Sequence, residues 1–215
     1  MSKNFSAPPM NFFRGFTMVE ILVSIMVFSL GLLGIAGLQA STSVYKMNSW
    51  TINATSLLAG DFADSVRSNP SAAGAAFLDS SPITKEYEFK TTNYTNQNTL
   101  PPKNSLTKNC FTTTTPCTPS ERAKFDILYW RYKVRDLLPQ GSAWVVGNRA
   151  EGFNVTLMWQ DKDYVNAASS TLPAISSPLC ENLQNTASPQ QRASCCPQNA
   201  QAPAGVRCQN FFFLP

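Results

Sequence analysis

The chain of 215 residues contains no histidine. This absence removes the most common general base of enzymes, and with it the Ser-His-Asp and Cys-His arrangements of nucleophilic catalysis. The carboxylates do not cluster along the sequence, and no glycine-rich phosphate-binding loop occurs. We therefore expect a protein that is not an enzyme and that uses no cofactor.

Charge is also scarce, since charged residues make up only 14% of the chain. The net charge of +4 is not gathered into a basic stripe with interleaved aromatic residues, so no nucleic-acid partner is expected. Hydrophobic residues make up 43% of the chain, which is enough for one globular core beside a long apolar helix.

Cysteine is absent from the first half of the chain. The six cysteines are Cys110, Cys117, Cys180, Cys195, Cys196 and Cys208. Their even number suits an oxidising compartment, where disulfides form. A zinc site is disfavoured, because there is no histidine and no repeated C-x-x-C pattern. No metal is expected.

The cysteines fall into two groups. Cys110 and Cys117 enclose a short threonine-rich loop and are the expected first pair. In the second group Cys195 and Cys196 are neighbours, and a bond between them would be strained. Each is expected to pair with one of the two remaining cysteines, in an order that the sequence leaves open.

One apolar run, from Gly15 to Leu38, dominates the N-terminal part. At ~1.5 Å rise per residue, its roughly 23 residues give a rod of about 34 Å, which can cross a hydrocarbon layer of ~30 Å. Its only charged side chain is Glu20. A charge at mid-bilayer costs ~2.5 to 3.5 kcal/mol, so a carboxylate kept in such a run indicates a specific partner.

The residues before the run have the character of a leader. They are short and polar, and carry the cations Lys3 and Arg14. A secretory signal peptide is cut after its apolar segment, whereas the candidate junction Gly15-Phe16 precedes the run. A cut within residues 36–40 is the weaker alternative. The two cations would hold this end in the cytoplasm and leave the rest of the chain across the membrane.

Residues 14–20, R-G-F-T-M-V-E, lead directly into the apolar run and resemble the leader junction of type IV prepilins and pseudopilins. The resemblance implies that a prepilin peptidase cuts between Gly15 and Phe16 and methylates the new amine of Phe16. It also implies that Glu20 registers the subunit by facing the N-terminal amine of a neighbour in the filament.

Three further segments are similar to PilV-type minor pilins: residues 29–39, residues 60–70, and the segment from Cys117 into an aromatic helix that ends Leu-Leu-Pro. The resemblance implies a role in the assembly and priming of a type IV pilus. The implied partners are the prepilin peptidase, other minor pilins, the major pilin, the inner-membrane assembly platform and membrane lipid. The implied location is the inner membrane, with the domain in the periplasm, and then the pilus at the cell surface.

Beyond the run, apolar or small side chains recur at steps of three and four, the period of one helix face. These positions are Val44, Met47, Thr51, Ala54, Leu58, Phe62 and Val66. The pattern predicts one helix from Phe16 to about Ser68, ended by Pro70. The side chains expected to point outward to solvent are Lys46, Asn48, Asp61 and Asp64.

The middle of the chain is mostly polar loop by composition. Within it, the alternating run Lys85–Lys90 predicts one short strand. The segment Thr118-Pro119-Ser120-Glu121 then predicts a helix start with a capping box, and Pro139 ends that helix. Residues 130–134 also alternate, so a strand stays possible there.

The distal part predicts the rest of a sheet. Residues 143–147 and 153–159 are two β-rich runs that form a hairpin. Residues 208–214 predict a final strand of the sheet, although an exposed aromatic edge that docks another subunit is the alternative. Asp161 and Asp163 could ligate calcium, but a plain turn is favoured because further charged oxygen donors are not nearby.

The expected fold is α+β, with a long N-terminal helix packed on a small antiparallel sheet in a disulfide-stapled, pilin-like domain. The expected organisation is a cleaved leader at 1–15, a transmembrane or filament-core helix at 16–38, an amphipathic continuation at 39–69 and a periplasmic globular domain at 70–215.

Three alternatives for the function stay open. A pseudopilin of a type II secretion system would share the junction and differ in its globular part. A pilus-tip adhesin or ligand-binding module would use residues 69–116 and 161–208 to bind a surface ligand. A simple anchored periplasmic protein would keep its leader and begin at Met1.

Overall fold

A computed structural model describes part of the 215 residues. The described residues are 15–74, 85–90, 93–98, 100–102, 105–106, 108–112, 114, 116–161, 164–165, 175–183 and 187–215, with residues 44, 45, 47, 48 and 98 described by their backbone alone. The chain divides into two compact units, Met1–Asn48 and Ser49–Pro215.

The helix α1 spans Met18–Ser68. It begins two residues later than the sequence predicts and ends at the predicted residue, just before Pro70. Within the first unit, the segment Met18–Ser43 has a mean hydropathy of 2.5, and each of its residues is exposed. The expectation of a long, apolar N-terminal helix is confirmed.

Four hydroxyl side chains in this apolar segment bond to the helix itself. Each donates a hydrogen bond of 2.7 to 3.1 Å to a carbonyl oxygen three or four residues earlier. The donors are Ser24, Ser29, Thr42 and Ser43. Such bonds satisfy a hydroxyl inside an apolar environment without a partner from another helix.

In the second unit, three antiparallel strands form one sheet: β1 (Ser142–Asn148), β2 (Gly152–Gln160) and β3 (Val206–Phe213), in the order β1-β2-β3. Val155 of β2 lies opposite Val145 on one side and Phe211 on the other. The predicted hairpin and the predicted final strand are both present, and the α+β fold class is confirmed.

The helix α2 spans Pro119–Leu137 and begins with the predicted capping box. The Glu121 amide donates to Oγ1 of Thr118 (3.3 Å), and the Thr118 amide donates to Oε2 of Glu121 (2.7 Å). The alternative strand over residues 130–134 is wrong, because Trp130 and Val134 are four residues apart and bury the same face of this helix.

The main core lies between α1, α2 and one face of the sheet. Its α1 residues Leu58, Phe62 and Val66 are at most 1% exposed, as the predicted helix stripe requires. From α2, the Trp130 indole N–H donates to the Leu58 carbonyl at 2.8 Å, so a hydrogen bond ties the two helices inside the core. The side chains of Val44 and Met47, the first members of the predicted stripe, lie outside the described residues.

The predicted outward face of α1 needs one correction. Asp64 is exposed and pairs with Arg67 at 3.4 Å, as a solvated face would. Asp61, however, is only partly exposed, and its Oδ2 forms an ion pair with Nζ of Lys133 in α2 at 2.7 Å. It therefore helps to join the helices instead of pointing only to solvent. Lys46 is exposed, and the Asn48 side chain lies outside the described part.

The opposite face of the sheet is covered by the cysteine-rich part of the chain. Its small core is formed by Tyr94, Trp144, Met158, Cys196, Ala200, Val206 and Cys208. A short helix, α3 (Pro189–Ser194), lies in this covering segment and packs near β3. The helix α3 is not among the elements predicted from the sequence, although Ser188 and Gln191 form a capping box of the same kind as the one that begins α2.

The predicted strand at Lys85–Lys90 is reduced to one isolated antiparallel bridge between Phe89 and Val145. The Phe89 and Val145 amides each donate to the other residue's carbonyl, at 2.9 and 2.8 Å. The chain before the bridge turns, because the Glu88 amide donates to the Lys85 carbonyl. The turn prevents further pairing along β1.

Three disulfides are present among the described residues. Cys110 is joined to Cys117, Cys180 to Cys195 and Cys196 to Cys208, with Cα–Cα distances of 5.8, 4.9 and 5.4 Å. The neighbouring Cys195 and Cys196 thus pair with different partners, and the order that the sequence left open is resolved. Because Cys208 belongs to β3, the third disulfide ties the covering segment directly to the sheet.

Replacing both Cys196 and Cys208 with alanine is expected to lower the free energy of unfolding by about 2 to 4 kcal/mol, because the bond closes a chain loop and both sulfurs are buried. Urea unfolding of the full chain in detergent, followed by tryptophan fluorescence, measures this. The matched control replaces Cys110 and Cys117, which lie outside the two cores and should cost less. Equal losses would contradict the assigned role of the third disulfide.

Candidate functional site

The predicted cleavage junction lies on an exposed stretch before α1. Phe16 is 83% exposed, and Gly15 is exposed as well. A Cβ added to Gly15 would meet no atom of the described residues within 4 Å. The described part of the chain therefore places no steric demand for glycine at this position.

Thr17 and Glu20 form a capping box at the start of α1. The Thr17 amide and hydroxyl both donate to Oε2 of Glu20 at 3.1 Å, and the Glu20 amide donates to Oγ1 of Thr17 at 3.3 Å. Glu20 lies in the first turn, where the positive end of the helix dipole favours a carboxylate. This local role of Glu20 is not among the expectations from the sequence, although the pattern Thr-x-x-Glu before an apolar run indicates it.

The capping box supplies hydrogen bonds to Glu20 but no positive charge. Among the described residues, none of the ion pairs includes Glu20. One oxygen of its carboxylate thus accepts hydrogen bonds, and no described cation of the same chain pairs with it. The arrangement can hold the side chain in place while leaving it able to bind a cationic group from elsewhere.

The apolar surface behind Glu20 is long and uncovered. The segment Met18–Ser43 has 26 residues, which at ~1.5 Å per residue gives about 39 Å of helix. A hydrocarbon layer of ~30 Å is shorter than this. A continuous apolar surface of this size needs lipid or another protein to cover it.

The calcium alternative at the end of β2 is not supported. The Asp161 side chain is buried and accepts an ion pair from Arg207 at 3.1 Å. Asp163 lies outside the described residues. In the part of the chain that the structure describes, no group of three or more potential ligands could hold a metal ion.

The predicted site residues thus fall into two sets. Gly15, Phe16 and Glu20 belong to the first unit, and all six cysteines belong to the second. The first set is a linear motif at the start of one helix. The second set staples loops and the sheet, and forms no reactive centre because every cysteine is paired.

Comparison with known proteins bears on the first set alone. Residues 10–36 match the family model described as the prokaryotic N-terminal methylation motif, an interval that contains Gly15, Phe16 and Glu20. No curated protein and no solved structure matches the chain.

The motif match supports a type IV pilin-like protein, either a pilin or a pseudopilin, that prepilin peptidase processes. Proteins of this kind are structural and not catalytic. The match and the uncovered apolar helix together indicate membrane anchoring and a place in a pilus-type system.

Proposed function

We propose that the protein is a minor pilin of PilV type that takes part in the assembly and priming of a type IV pilus. The observation that carries the proposal is the methylation motif at residues 10–36, which leads directly into an apolar helix that the protein itself does not cover.

In this proposal the chain first inserts into the inner membrane. Lys3 and Arg14 stay in the cytoplasm, residues 16–38 span the bilayer, residues 39–69 continue the helix and residues 70–215 lie in the periplasm. Prepilin peptidase removes residues 1–15 and methylates Phe16. The helix then leaves the lipid and enters the growing filament.

In this proposal Glu20 sets the axial register of the subunit in the filament. Its charge is costly in lipid, and an ammonium at Phe16 of a neighbouring subunit offsets it only when the subunits are correctly staggered. Such a pair is strong at low dielectric, but its desolvation cost is also large, so it specifies position more than it adds stability. The capping bonds from Thr17 hold the carboxylate until that partner arrives.

Intact mass spectrometry tests the proposal on the protein extracted from membranes and from sheared filaments. The expected mass is that of residues 16–215 with one methyl group added and with the six cysteines joined in three disulfides. Filament material that still carries residues 1–15 would overturn the proposal.

Replacing Gly15 with valine is expected to lower the processed fraction by about tenfold or more. A Cβ at this position meets no atom of residues 15–74 or of the other described segments, so a loss is expected to reflect the peptidase and not the fold. Replacing Gly31 with valine is the matched control, because that glycine also has open space around it but lies inside α1. The intact mass of each variant gives the processed fraction. Normal processing of the Gly15 variant would contradict the assigned junction.

The same motif match also supports a pseudopilin of a type II secretion system. The distal disulfides and residues 60–70, which are similar to PilV-type minor pilins, favour the pilus. A deletion strain separates the functions: loss of pili supports the minor pilin, and loss of secretion with normal pili supports the pseudopilin. Normal pili with lost attachment would support a tip adhesin.

A further inference from the structure

An open cleft of about 360 Å³ lies beside α2 in the second unit. Its apolar lining includes Phe89, Leu106 and Leu128, and its cationic lining is Lys85, Lys124 and Arg131. The volume is within the range of ligand-binding clefts, which are about 300 to 1,000 Å³. The cleft therefore combines an apolar floor with positive charge, and neither the motif nor the proposed membrane helix contributes to it.

Arg131 is the unusual group in this cleft. Its guanidinium lies over the Phe89 ring, 4.2 Å from the ring centroid, and its side chain is only partly exposed. Among the described residues, none of the hydrogen bonds from α2 and none of the ion pairs uses Arg131. Desolvation by burial lowers the pKa of Arg131 from its ordinary value, although the neighbouring Tyr132 partly opposes this effect.

Two other cations of α2 show the contrast. Arg122 pairs with Asp126 at 3.0 Å, and Lys133 pairs with Asp61 at 2.7 Å. Both partners lie within the chain, so these cations are already neutralised. Arg131 is packed against an aromatic face, and within the described part of the chain no acceptor is recorded for its planar set of N–H donors.

The acidic residues of the cleft do not cancel its charge. Glu88 lines the cleft, but it already pairs with Lys90 at 3.2 Å and accepts from the Gly147 amide at 3.4 Å. Glu86 is then the one remaining described carboxylate of the lining, against the three cations named above. The electrostatic field in the cleft favours an anion. Lys124, a lining residue that is exposed, adds to this positive field.

We infer that this cleft docks an acidic peptide segment of a partner protein, with an Asp or Glu carboxylate on Arg131 and an adjacent apolar side chain against Leu128 and Phe89. A guanidinium fixed by stacking is suited to a carboxylate, because its fork forms two parallel hydrogen bonds with little further loss of freedom. A peptide fits the cleft better than a small anion does, because an apolar side chain of the peptide can cover the apolar floor that a small anion would leave exposed to water. The inference does not depend on the proposed pilin function.

The test uses the full chain in detergent micelles, labelled with ¹⁵N-arginine, and two probe peptides. One probe is acetyl-Leu-Glu-Leu-amide, and the other carries glutamine in place of glutamate. The glutamate peptide is expected to shift the Arg131 Nε resonance saturably, whereas the glutamine peptide should not. Arg131→Gln should weaken binding of the glutamate peptide by about tenfold or more, and Arg131→Lys should restore part of it because the charge returns without the fork.

Two controls make the result specific. Arg149→Gln removes the same charge from an exposed position in the hairpin turn and should leave binding unchanged. Lys124→Gln removes an exposed cleft cation and should weaken binding severalfold; it also decides the matter if Arg131→Gln does not fold by circular dichroism.

Several outcomes would overturn the inference. These are equal binding of the glutamine peptide, equal binding to the Arg131→Gln variant, and equally strong binding of acetate or inorganic phosphate alone. Binding only to anionic lipid vesicles would assign the cleft to a membrane surface and would also overturn it. Because purified protein is used, none of these outcomes depends on whether the chain enters a filament.

Discussion

Replacing Glu20 with glutamine is expected to lower incorporation of the subunit into filaments by at least about tenfold, which corresponds to about 1.4 kcal/mol per subunit contact. Glutamine removes the charge but keeps a side-chain oxygen that can accept the hydrogen bonds from Thr17. Membrane insertion and removal of residues 1–15 should be unchanged, because neither step uses the Glu20 charge in the proposed function.

Comparison of variants separates the charge of Glu20 from its capping role. Glu20→Ala removes both, so it should be at least as poorly incorporated as Glu20→Gln. Thr17→Val removes the hydroxyl part of the cap and keeps the charge, so it should be incorporated nearly normally. Immunoblots of sheared filaments, normalised to the membrane fraction, give the ratios. If Glu20→Gln is incorporated as well as the wild-type subunit, the registry role is refuted and Glu20 only caps the helix.

Replacing Phe62 with alanine is expected to lower the free energy of unfolding of the globular unit by about 3 to 5 kcal/mol. Phe62 is 1% exposed, and its ring contacts those of Tyr87, Trp130, Phe153 and Phe213 at centroid distances of 6.0, 4.6, 6.5 and 6.2 Å. The alanine variant would leave a cavity where α1, α2 and the sheet meet. Urea unfolding followed by circular dichroism measures the loss.

The matched control for Phe62 is Leu57→Ala on the same helix. Leu57 is 69% exposed, so its truncation should change stability by less than about 0.5 kcal/mol. Phe62→Leu should lie between the two, because it keeps much of the buried volume but loses the ring contacts. If Phe62→Ala and Leu57→Ala destabilise the protein equally, the aromatic cluster is not the centre of the core.

The helices that sequence analysis predicted are those whose signals are local. Thr118 and Glu121 are three residues apart, and their capping box places the start of α2 without any knowledge of the fold. The stripe that includes Leu58, Phe62 and Val66 likewise follows from helix geometry alone. The same local rule would have found α3 from Ser188 and the cap on Glu20 from Thr17.

The features that sequence analysis could not predict depend on contacts between distant segments. The short pairing of Phe89 is decided by a turn and by Val145, far along the chain. The partners of Cys195 and Cys196 depend on where β3 brings Cys208. The cleft around Arg131 combines three separate segments, so no pattern within any one of them reveals it.

Ser24 and Ser29, in the apolar segment of α1, use their hydroxyl groups to bond to their own backbone. A neighbouring helix therefore meets methyl and methylene groups there and finds few directional contacts. In the proposed registry role, Glu20 fixes the axial position of such a helix but does little to fix its rotation about the long axis. The azimuth of each subunit would then be set by contacts of its globular part, so the helical twist of a filament could change without breaking the Glu20 contact.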